Sequence, residues 1–186
     1  MSKLDTICTS IQRNAGGDVL AQIMQRIGTL PENRTPARQG RYAVALMQAL
    51  DDTCTPDVVR QVMQPCGGIC ISNSVLAKAK AARQASVDVP ALLEKLNDQH
   101  IGGGALHIHD GYIIGVYSRC YCSLAKNAPT LSASYCRCSA GWYERLFAEM
   151  YPDSQVEVQL LQSILGGADD CRFAIGISGV TAALPA

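Results

Sequence analysis

Three consecutive glycines, Gly102-Gly103-Gly104, separate two different patterns of apolar residues in this sequence. On the N-terminal side, apolar residues recur every three or four positions, which is typical of amphipathic helices. On the C-terminal side, apolar and polar residues alternate, which is typical of half-buried strands. The sequence therefore predicts an α+β fold, in which a helical N-terminal region, residues 1–101, packs on a sheet formed within residues 102–186. We expect the two regions to form one compact domain.

Start and stop signals divide the N-terminal region into several helices. Thr35-Pro36 and Thr55-Pro56 each combine an N-cap residue with proline at the first helical position. The helix after Thr55-Pro56 is expected to end near Pro65, because proline lacks the amide hydrogen that a helix interior needs. Further helices are predicted over residues 74–86 and from Pro90 onward.

Two hairpins are predicted in the C-terminal region. Asp110-Gly111 is a strong signal for a tight turn, and Gly166-Gly167 lies between two further alternating segments. Residues 118–133 are expected to form a loop or a broken strand. A helix capped by Ser139 lies between the hairpins in sequence. The expected architecture is therefore an antiparallel sheet of two hairpins with a crossing helix.

Charge and hydropathy argue against two classes of partner. Lysine and arginine total 16, aspartate and glutamate total 16, and no basic run is present, so nucleic acid is not the expected partner. No apolar run approaches the roughly 20 residues that span a bilayer. The first residues lack the pattern of a signal peptide. We therefore expect a cytoplasmic protein, where cysteines stay reduced and many of them indicate metal or redox chemistry.

The sequence contains nine cysteines, and most of them are paired at short spacing. In extended strands, the two Cys-x-Cys pairs would each direct both sulfurs to one face, and four sulfurs suit a tetrahedral metal site. The candidate metal ligands are Cys66, Cys70, Cys120, Cys122, Cys136, Cys138 and Cys171. Zinc is favoured over an iron–sulfur cluster, while a redox dithiol and plain structural thiols stay open as alternatives.

A ligand pocket is expected near the same residues. Trp142 would form one wall of an apolar pocket, and His107 and His109 share one face of the first strand. The alternatives are core packing for Trp142 and a solvated strand face for the two histidines. No serine nucleophile motif, phosphate loop or dinucleotide fingerprint is present. The catalytic residues are therefore unknown, and a cysteine nucleophile beside a histidine is one alternative.

The segment from Trp142 to Ile175 resembles a known family. A helix, a strand, the turn at Gly166-Gly167 and then Cys171-Arg172-Phe173 look like the end of the 4-vinyl reductase domain. The resemblance covers residues 102–178 and implies the fold of haem-NO-binding and TRAPP-subunit domains. Members of this family are small-molecule binding or sensing modules, so the resemblance implies an apolar or small organic ligand. The TRAPP-like relatives form dimers, which implies a homodimer as one alternative.

In the phenol-sensing members of that family, cysteines and a glutamate bind a structural zinc. By resemblance, Cys136 or Cys138 matches the first zinc cysteine, and Cys171 matches the last. Ser163 stands where the middle cysteine is expected, and no glutamate precedes it, so this sequence departs from the family's ligand set. We hypothesise that the thiols of Cys120-Tyr121-Cys122 compensate for this departure.

The same tail, residues 166–173, also resembles the end of aminothiazoline-carboxylate hydrolase-like proteins, which have a cysteine pair upstream. That resemblance implies a small-molecule C–N hydrolase using a cysteine thiolate or a metal-activated water. The whole cysteine pattern resembles an uncharacterised cysteine-rich group of bacteria and archaea, with no assigned function. The main expectation is a small-molecule-binding or sensing domain with a cysteine-rich, zinc-binding site, and the hydrolase is the alternative.

Overall fold

The computed structural model describes residues 2–32, 35–128 and 130–184. The N-terminal region is helical, as predicted, and the α+β class is confirmed. Its helices are α1 (Lys3–Asn14), α2 (Gly17–Ile27), α3 (Pro36–Thr53), α4 (Pro56–Gly68), α5 (Asn73–Gln84) and α6 (Val89–Asp98). Within the described ranges, no helix is both long enough and apolar enough to span a bilayer.

Side-chain caps explain where several of these helices begin. The Ser2 hydroxyl accepts from the Asp5 amide and the Asp5 carboxylate accepts from the Ser2 amide, which forms a capping box at α1. Thr55 caps α4 by accepting a hydrogen bond from a backbone amide. The helix ends at Gly68, close to the predicted position, and Pro65 lies inside its last turn. Tertiary packing stabilises that turn although proline removes one intrahelical hydrogen bond.

An antiparallel sheet follows the glycine run. Its strands are β1 (His107–His109), β2 (Tyr112–Tyr117), β3 (Val156–Gln162) and β4 (Cys171–Ile177), in the order β1-β2-β4-β3. Both predicted hairpins are present, and Asp110 and Gly111 have the positive φ angles, 49° and 82°, that a tight hairpin turn favours. At the centre of the sheet, Tyr117 at the end of β2 pairs with Cys171 at the start of β4.

The predicted crossing helix packs on the sheet. This helix, α8 (Arg137–Met150), buries Tyr143 and Phe147 completely in a cluster with Phe173 of β4. The expectation that Ser139 caps this helix is wrong. A short 3₁₀ turn, Ala133–Cys136, leads directly into α8, so position 139 is already inside the helix.

The apolar core consists of two clusters of buried residues. The first joins α5, α6 and α8 to the sheet, and the second joins α1 to α4 to the segment after β2. In that segment, residues 118–133 form more than the expected loop. They include the short helix α7 (Ser123–Lys126), whose Leu124 packs in the second cluster. The division of the chain into residues 1–101 and 102–186 stays a prediction.

Candidate functional site

A cavity of about 390 Å³ lies where the helical region meets the sheet. Its walls come from the start of α1, the end of α4, α5, the glycine run, the end of β2 and the start of α8. The aromatic rings of Tyr117 and Trp142 face it, together with Lys3 and Lys78. The cysteines that line it are Cys70, Cys120, Cys122, Cys136, Cys138 and Cys171.

Two glycines bring α4 and α8 unusually close together at this cavity. A Cβ atom at Gly67 of α4 would overlap the carbonyl oxygen of Cys138, and a Cβ atom at Gly141 of α8 would overlap that of Gln64. The helices therefore cross backbone against backbone. This contact places the thiols at the end of α4 beside those at the start of α8.

The glycine run forms another wall. Gly102 and Gly103 have φ angles of 68° and 85°, and a Cβ atom at Gly103 would collide with Val116 and Tyr117 of β2. The Tyr143 hydroxyl donates a hydrogen bond of 2.8 Å to the carbonyl oxygen of Gly102. The run is thus held against the sheet in a backbone conformation that favours glycine.

Cys122 is held by two hydrogen-bond partners inside the cavity. Lys3 Nζ donates to Cys122 Sγ at 3.3 Å, and the Tyr135 hydroxyl lies 3.3 Å from the same sulfur. Burial acts to raise the pKa of Cys122, but the hydrogen bonds from Tyr135 and Lys3 and the charge of Lys3 bring it below its ordinary value. Because the anion is favoured, Cys122 is a candidate nucleophile.

The Lys3 ammonium group lies among further thiols. Burial acts to lower the pKa of Lys3, but the charges of Cys122, Cys70 and Cys138 raise it overall. Burial raises the pKa of Cys66 to about 11 and also raises the pKa of Cys138. Cys66 and Cys138 therefore favour the protonated form, whereas the lowered pKa of Cys122 favours its thiolate.

A second thiol pair lies where the 3₁₀ turn before α8 meets β4. Cys136 and Cys171 both line the cavity, and the Ile164 amide donates to Cys171 Sγ at 3.4 Å. The hydrogen bond from Cys136 lowers the pKa of Cys171 to about 6, against the effect of burial. The same bond, together with burial, raises the pKa of Cys136 far above its usual range. The pKa values of the two thiols therefore move in opposite directions.

The expectation that each Cys-x-Cys pair points its sulfurs to one face does not match the structure. Cys120 and Cys122 lie in irregular backbone before α7, and Cys136 and Cys138 lie at a helix start rather than in a strand. Residues two apart in a helix point about 200° apart. Cys136 accordingly faces Cys171, whereas Cys138 interacts with Cys122, Cys70 and Cys66.

The thiols of the described residues are not arranged as a preformed metal site. Across residues 2–32, 35–128 and 130–184, no three or more histidine, cysteine, aspartate or glutamate side chains form a group that could hold one. Of the positions that match the zinc ligands of the resembled family, Cys136 and Cys171 both line the cavity, whereas Ser163 has a hydroxyl group in place of the third sulfur. In the group of thiols around Lys3, which includes Cys70, Cys122 and Cys138, the Lys3 ammonium group donates a hydrogen bond to Cys122.

The structure brings some of the predicted ligand-binding residues to the cavity and leaves others outside it. Trp142 forms part of its wall. His107 and His109 are exposed on the edge strand β1 and do not line the cavity. Sequence reasoning missed Lys3 and Tyr135, because no local pattern connects either residue to Cys122.

A larger groove, of about 700 Å³, lies on another part of the surface. It runs between α8 and β3 and carries the charged side chains of Arg60, Arg137, Glu144 and Glu157. Among the residues that the structure describes, no cysteine lines this groove. The thiol-lined cavity is therefore the candidate site, because it combines aromatic walls with reactive groups.

Comparison with known proteins gives one assignment and two distant similarities. An H-NOX protein from S. oneidensis, solved in the Fe(II)NO ligation state, is 15% identical, with 95% of this chain and 98% of that chain covered and a TM-score of 0.43. The phenol-responsive sensory domain of the transcription activator PoxR, solved with phenol, is 14% identical, with 85% and 88% covered and a TM-score of 0.45. At these values, neither similarity assigns a ligand, cofactor or activity to this chain.

No curated protein matches the chain in sequence. Residues 2–181 match a family described as a family of unknown function, DUF6144. The match spans nearly the whole chain, from the capping box of α1 to the turn after β4. The protein is therefore a member of the DUF6144 family.

Proposed function

We propose that this protein is a small-molecule-binding domain and that its ligand occupies the thiol-lined cavity. The observation that supports the proposal is the cavity itself, whose volume of about 390 Å³ matches that of a small organic molecule. Sites of this kind combine apolar walls with a few polar groups that orient the ligand. Tyr117 and Trp142 supply the apolar walls, and Lys3, Lys78 and the thiols supply the polar groups.

The lining favours a particular chemistry of ligand. An aromatic or otherwise planar body suits Tyr117 and Trp142, because ring faces and edges attract one another. A carboxylate or phenolate on that body suits Lys78, an exposed cation at the rim of the cavity. We therefore infer a small aromatic acid or phenol as the ligand class.

Binding can be measured through Trp142, the only tryptophan of the chain. A panel of small aromatic carboxylates and phenols should quench its fluorescence saturably and raise the melting temperature. Val75→Phe fills the cavity and should weaken binding at least about tenfold, which corresponds to about 1.4 kcal/mol. Leu161→Phe, on the exposed part of β3, is the matched control and should leave binding unchanged. Equal binding by both variants would place the ligand elsewhere.

A thiol hydrolase is the second candidate, and the surroundings of Cys122 favour it. The thiolate would attack the electrophilic carbon of a cyclic amidine or thiazoline, and the Tyr135 hydroxyl would protonate the departing nitrogen. Water would then release the carbon from sulfur. Turnover of such substrates should disappear in Cys122→Ser and persist in Cys54→Ser, whose thiol lies outside the cavity. A panel without turnover would leave only the binding function.

Zinc binding is a separate proposal and requires rearrangement. The thiols that could come together around a zinc ion are those of Cys66, Cys70, Cys122 and Cys138. The Lys3 ammonium group would have to move away from them. Elemental analysis of protein purified anaerobically without a metal-affinity tag tests this directly. About one zinc per chain, lost in Cys138→Ser, would support it. A metal-free protein in which all thiols react with alkylating agents would reject it.

A further inference from the structure

We propose that the free edge of β3 binds an extended peptide segment of a partner protein, and that Arg137 of α8 binds an acidic side chain of that segment. The peptide adds to the sheet as a further strand beside β3. The site is the groove of about 700 Å³ between α8 and β3, and none of its described lining residues also lines the thiol-lined cavity. The inference therefore goes beyond small-molecule binding, because it assigns a partner and a binding mode to a second surface.

The backbone of β3 is unpaired along one side. β3 stands at the end of the strand order β1-β2-β4-β3, so it has a strand neighbour on one side only. Just before the strand, the Ser178 amide donates to the carbonyl oxygen of Gln155 at 2.9 Å. In an antiparallel pair, every second residue bonds to the partner strand. Val156, Val158 and Leu160 therefore direct their N–H and C=O groups to the free edge, where another extended chain can bind them.

The groove follows this edge for the length of a short peptide. All residues from Val156 to Leu160 line it. The register of β3 against β4 shifts between Leu160 and Gln162, so the regular edge ends where the groove ends. A bulge of this kind limits how far an edge strand can pair with another chain. The free edge spans about 17 Å, which suits a short linear segment.

Helices form the wall of the groove opposite the strand edge. Arg137, Ala140 and Glu144 are spaced at i, i+3 and i+7 on α8, so they share one face of that helix. Arg60 and Gln64 are one turn apart on α4 and extend the same wall. A single extended chain fits between a strand edge and a helix face. A second copy of the protein is less suited, because its own β3 has the same helices beside it.

Arg137 provides a cation without a partner in this groove. Its side chain is half-buried, and no hydrogen bond or ion pair joins its guanidinium group to any residue that the structure describes. Glu144, on the same wall, already accepts a hydrogen bond from Gln64 at 3.1 Å. A partly desolvated guanidinium group favours a carboxylate, which it binds through two parallel hydrogen bonds. The charge of the groove therefore selects a peptide with an aspartate or glutamate beside Arg137, near Leu160.

The test begins with octapeptides displayed on phage and selected on the purified full chain. The enriched peptides should share an acidic residue at one position, and their synthetic, fluorescent forms should bind saturably in an anisotropy titration. Arg137→Ala should weaken this binding at least about tenfold. Arg145→Ala is the matched control, because Arg145 lies on the exposed face of α8 in an ion pair with Glu149 and does not line the groove.

A second measurement leaves the protein unchanged and tests the added strand itself. N-methylation of alternate peptide amides should abolish binding in the register whose N–H groups face β3, and should have little effect when it is shifted by one residue. Leu160→Pro removes an outward N–H group from the edge strand and should also weaken binding at least about tenfold. Arg137→Glu should prefer the same peptide with lysine in place of its acidic residue.

Three results would overturn the proposal. The first is a selection without enriched peptides. The second is equal binding of the enriched peptides by Arg137→Ala and Arg145→Ala, or equal effects of N-methylation in both registers. The third comes from sedimentation of the protein alone, where a dimer that Leu160→Pro converts to a monomer would assign the free edge of β3 to a second copy of the chain.

Discussion

The α carbon of Gly67 faces the carbonyl oxygen of Cys138 with no space for a side chain between them. The reciprocal contact, between Gly141 and Gln64, lies on the same helix pair. These two contacts fix how closely α4 approaches α8. They therefore also fix the distance between the thiols of the two helices.

Replacing Gly67 with alanine should destabilise the protein by about 2 kcal/mol or more, because the methyl group overlaps backbone that cannot move independently. Gly141→Ala should have a similar effect. Gly68→Ala is the control from the same turn, since its Cβ atom would meet only Arg145 at 3.6 Å, an ordinary contact distance. Urea unfolding of the three variants measures the difference. Equal stability of Gly67→Ala and Gly68→Ala would contradict the close crossing.

Lys3→Met should make Cys122 less reactive. Without the ammonium group, the thiolate loses a hydrogen bond and a favourable charge, so the pKa of Cys122 rises and less thiolate is present at neutral pH. Alkylation of Cys122, followed by mass spectrometry, should become several-fold slower. Lys78→Met also removes a charge from the cavity wall and serves as the control. If the alkylation rate of Cys122 changes equally in Lys3→Met and Lys78→Met, the contact between Lys3 and Cys122 does not control the reactivity of Cys122.

Tyr143→Phe should lower the free energy of unfolding by about 1–3 kcal/mol. The buried hydroxyl donates to the carbonyl of Gly102 at 2.8 Å, and its removal leaves that acceptor without its partner. Because Gly102 belongs to the cavity wall, the variant should also weaken ligand binding. Thermal unfolding and tryptophan quenching check the two effects. Unchanged stability would show that the hydroxyl does not hold the glycine run.

Cys171 should make stability depend on pH. Its pKa is lowered from 9.0 to about 6 on folding, so the folded chain releases this proton more readily than the unfolded chain. The stabilisation grows as the pH rises from about 6 to about 9 and is lost as the pH falls through about 6, whereas above pH 9 the raised pKa of Cys136 acts in the opposite direction. The difference in unfolding free energy between the unmutated protein and Cys171→Ser should follow that course. The ionisable groups around Cys171 are Cys136, Asp170, Cys120, Tyr117 and Tyr143.

Two outcomes would limit that interpretation. Because Cys136 supplies the main hydrogen bond, Cys136→Ala should raise the pKa of Cys171 and shift its alkylation profile to higher pH. If the midpoint pH for alkylation of Cys171 stays near 6 in Cys136→Ala, the Ile164 amide rather than Cys136 lowers the pKa of Cys171. A stability difference that rises as the pH falls would contradict a lowered pKa for Cys171 in the folded chain.

The sequence allowed the hairpins to be predicted because their signals are local. Asp110-Gly111 has the residues that a tight turn requires, and the alternation on each side specifies the strands. The prediction from the Cys-x-Cys pairs was wrong because it also relied on a local pattern. Their spacing points two sulfurs together only in a strand, and tertiary packing placed Cys136 and Cys138 at a helix start instead.

The partners of the thiols depend on distant parts of the chain. Lys3 is 119 residues away from Cys122, so only the complete fold reveals that its ammonium group lies beside that sulfur. The link from Cys136 to Cys171 joins a helix start to a central strand. Spacing alone could identify the cysteines as chemically important, but it could not divide them into two groups.

The cavity lies along the boundary between two separate apolar clusters. Cys120, Cys122 and Cys138 pack against the helical cluster, while Tyr117 and Trp142 pack against the sheet cluster. A molecule bound there would hold both clusters at once, so neither could melt without releasing it. Its binding free energy would therefore stabilise the two clusters together.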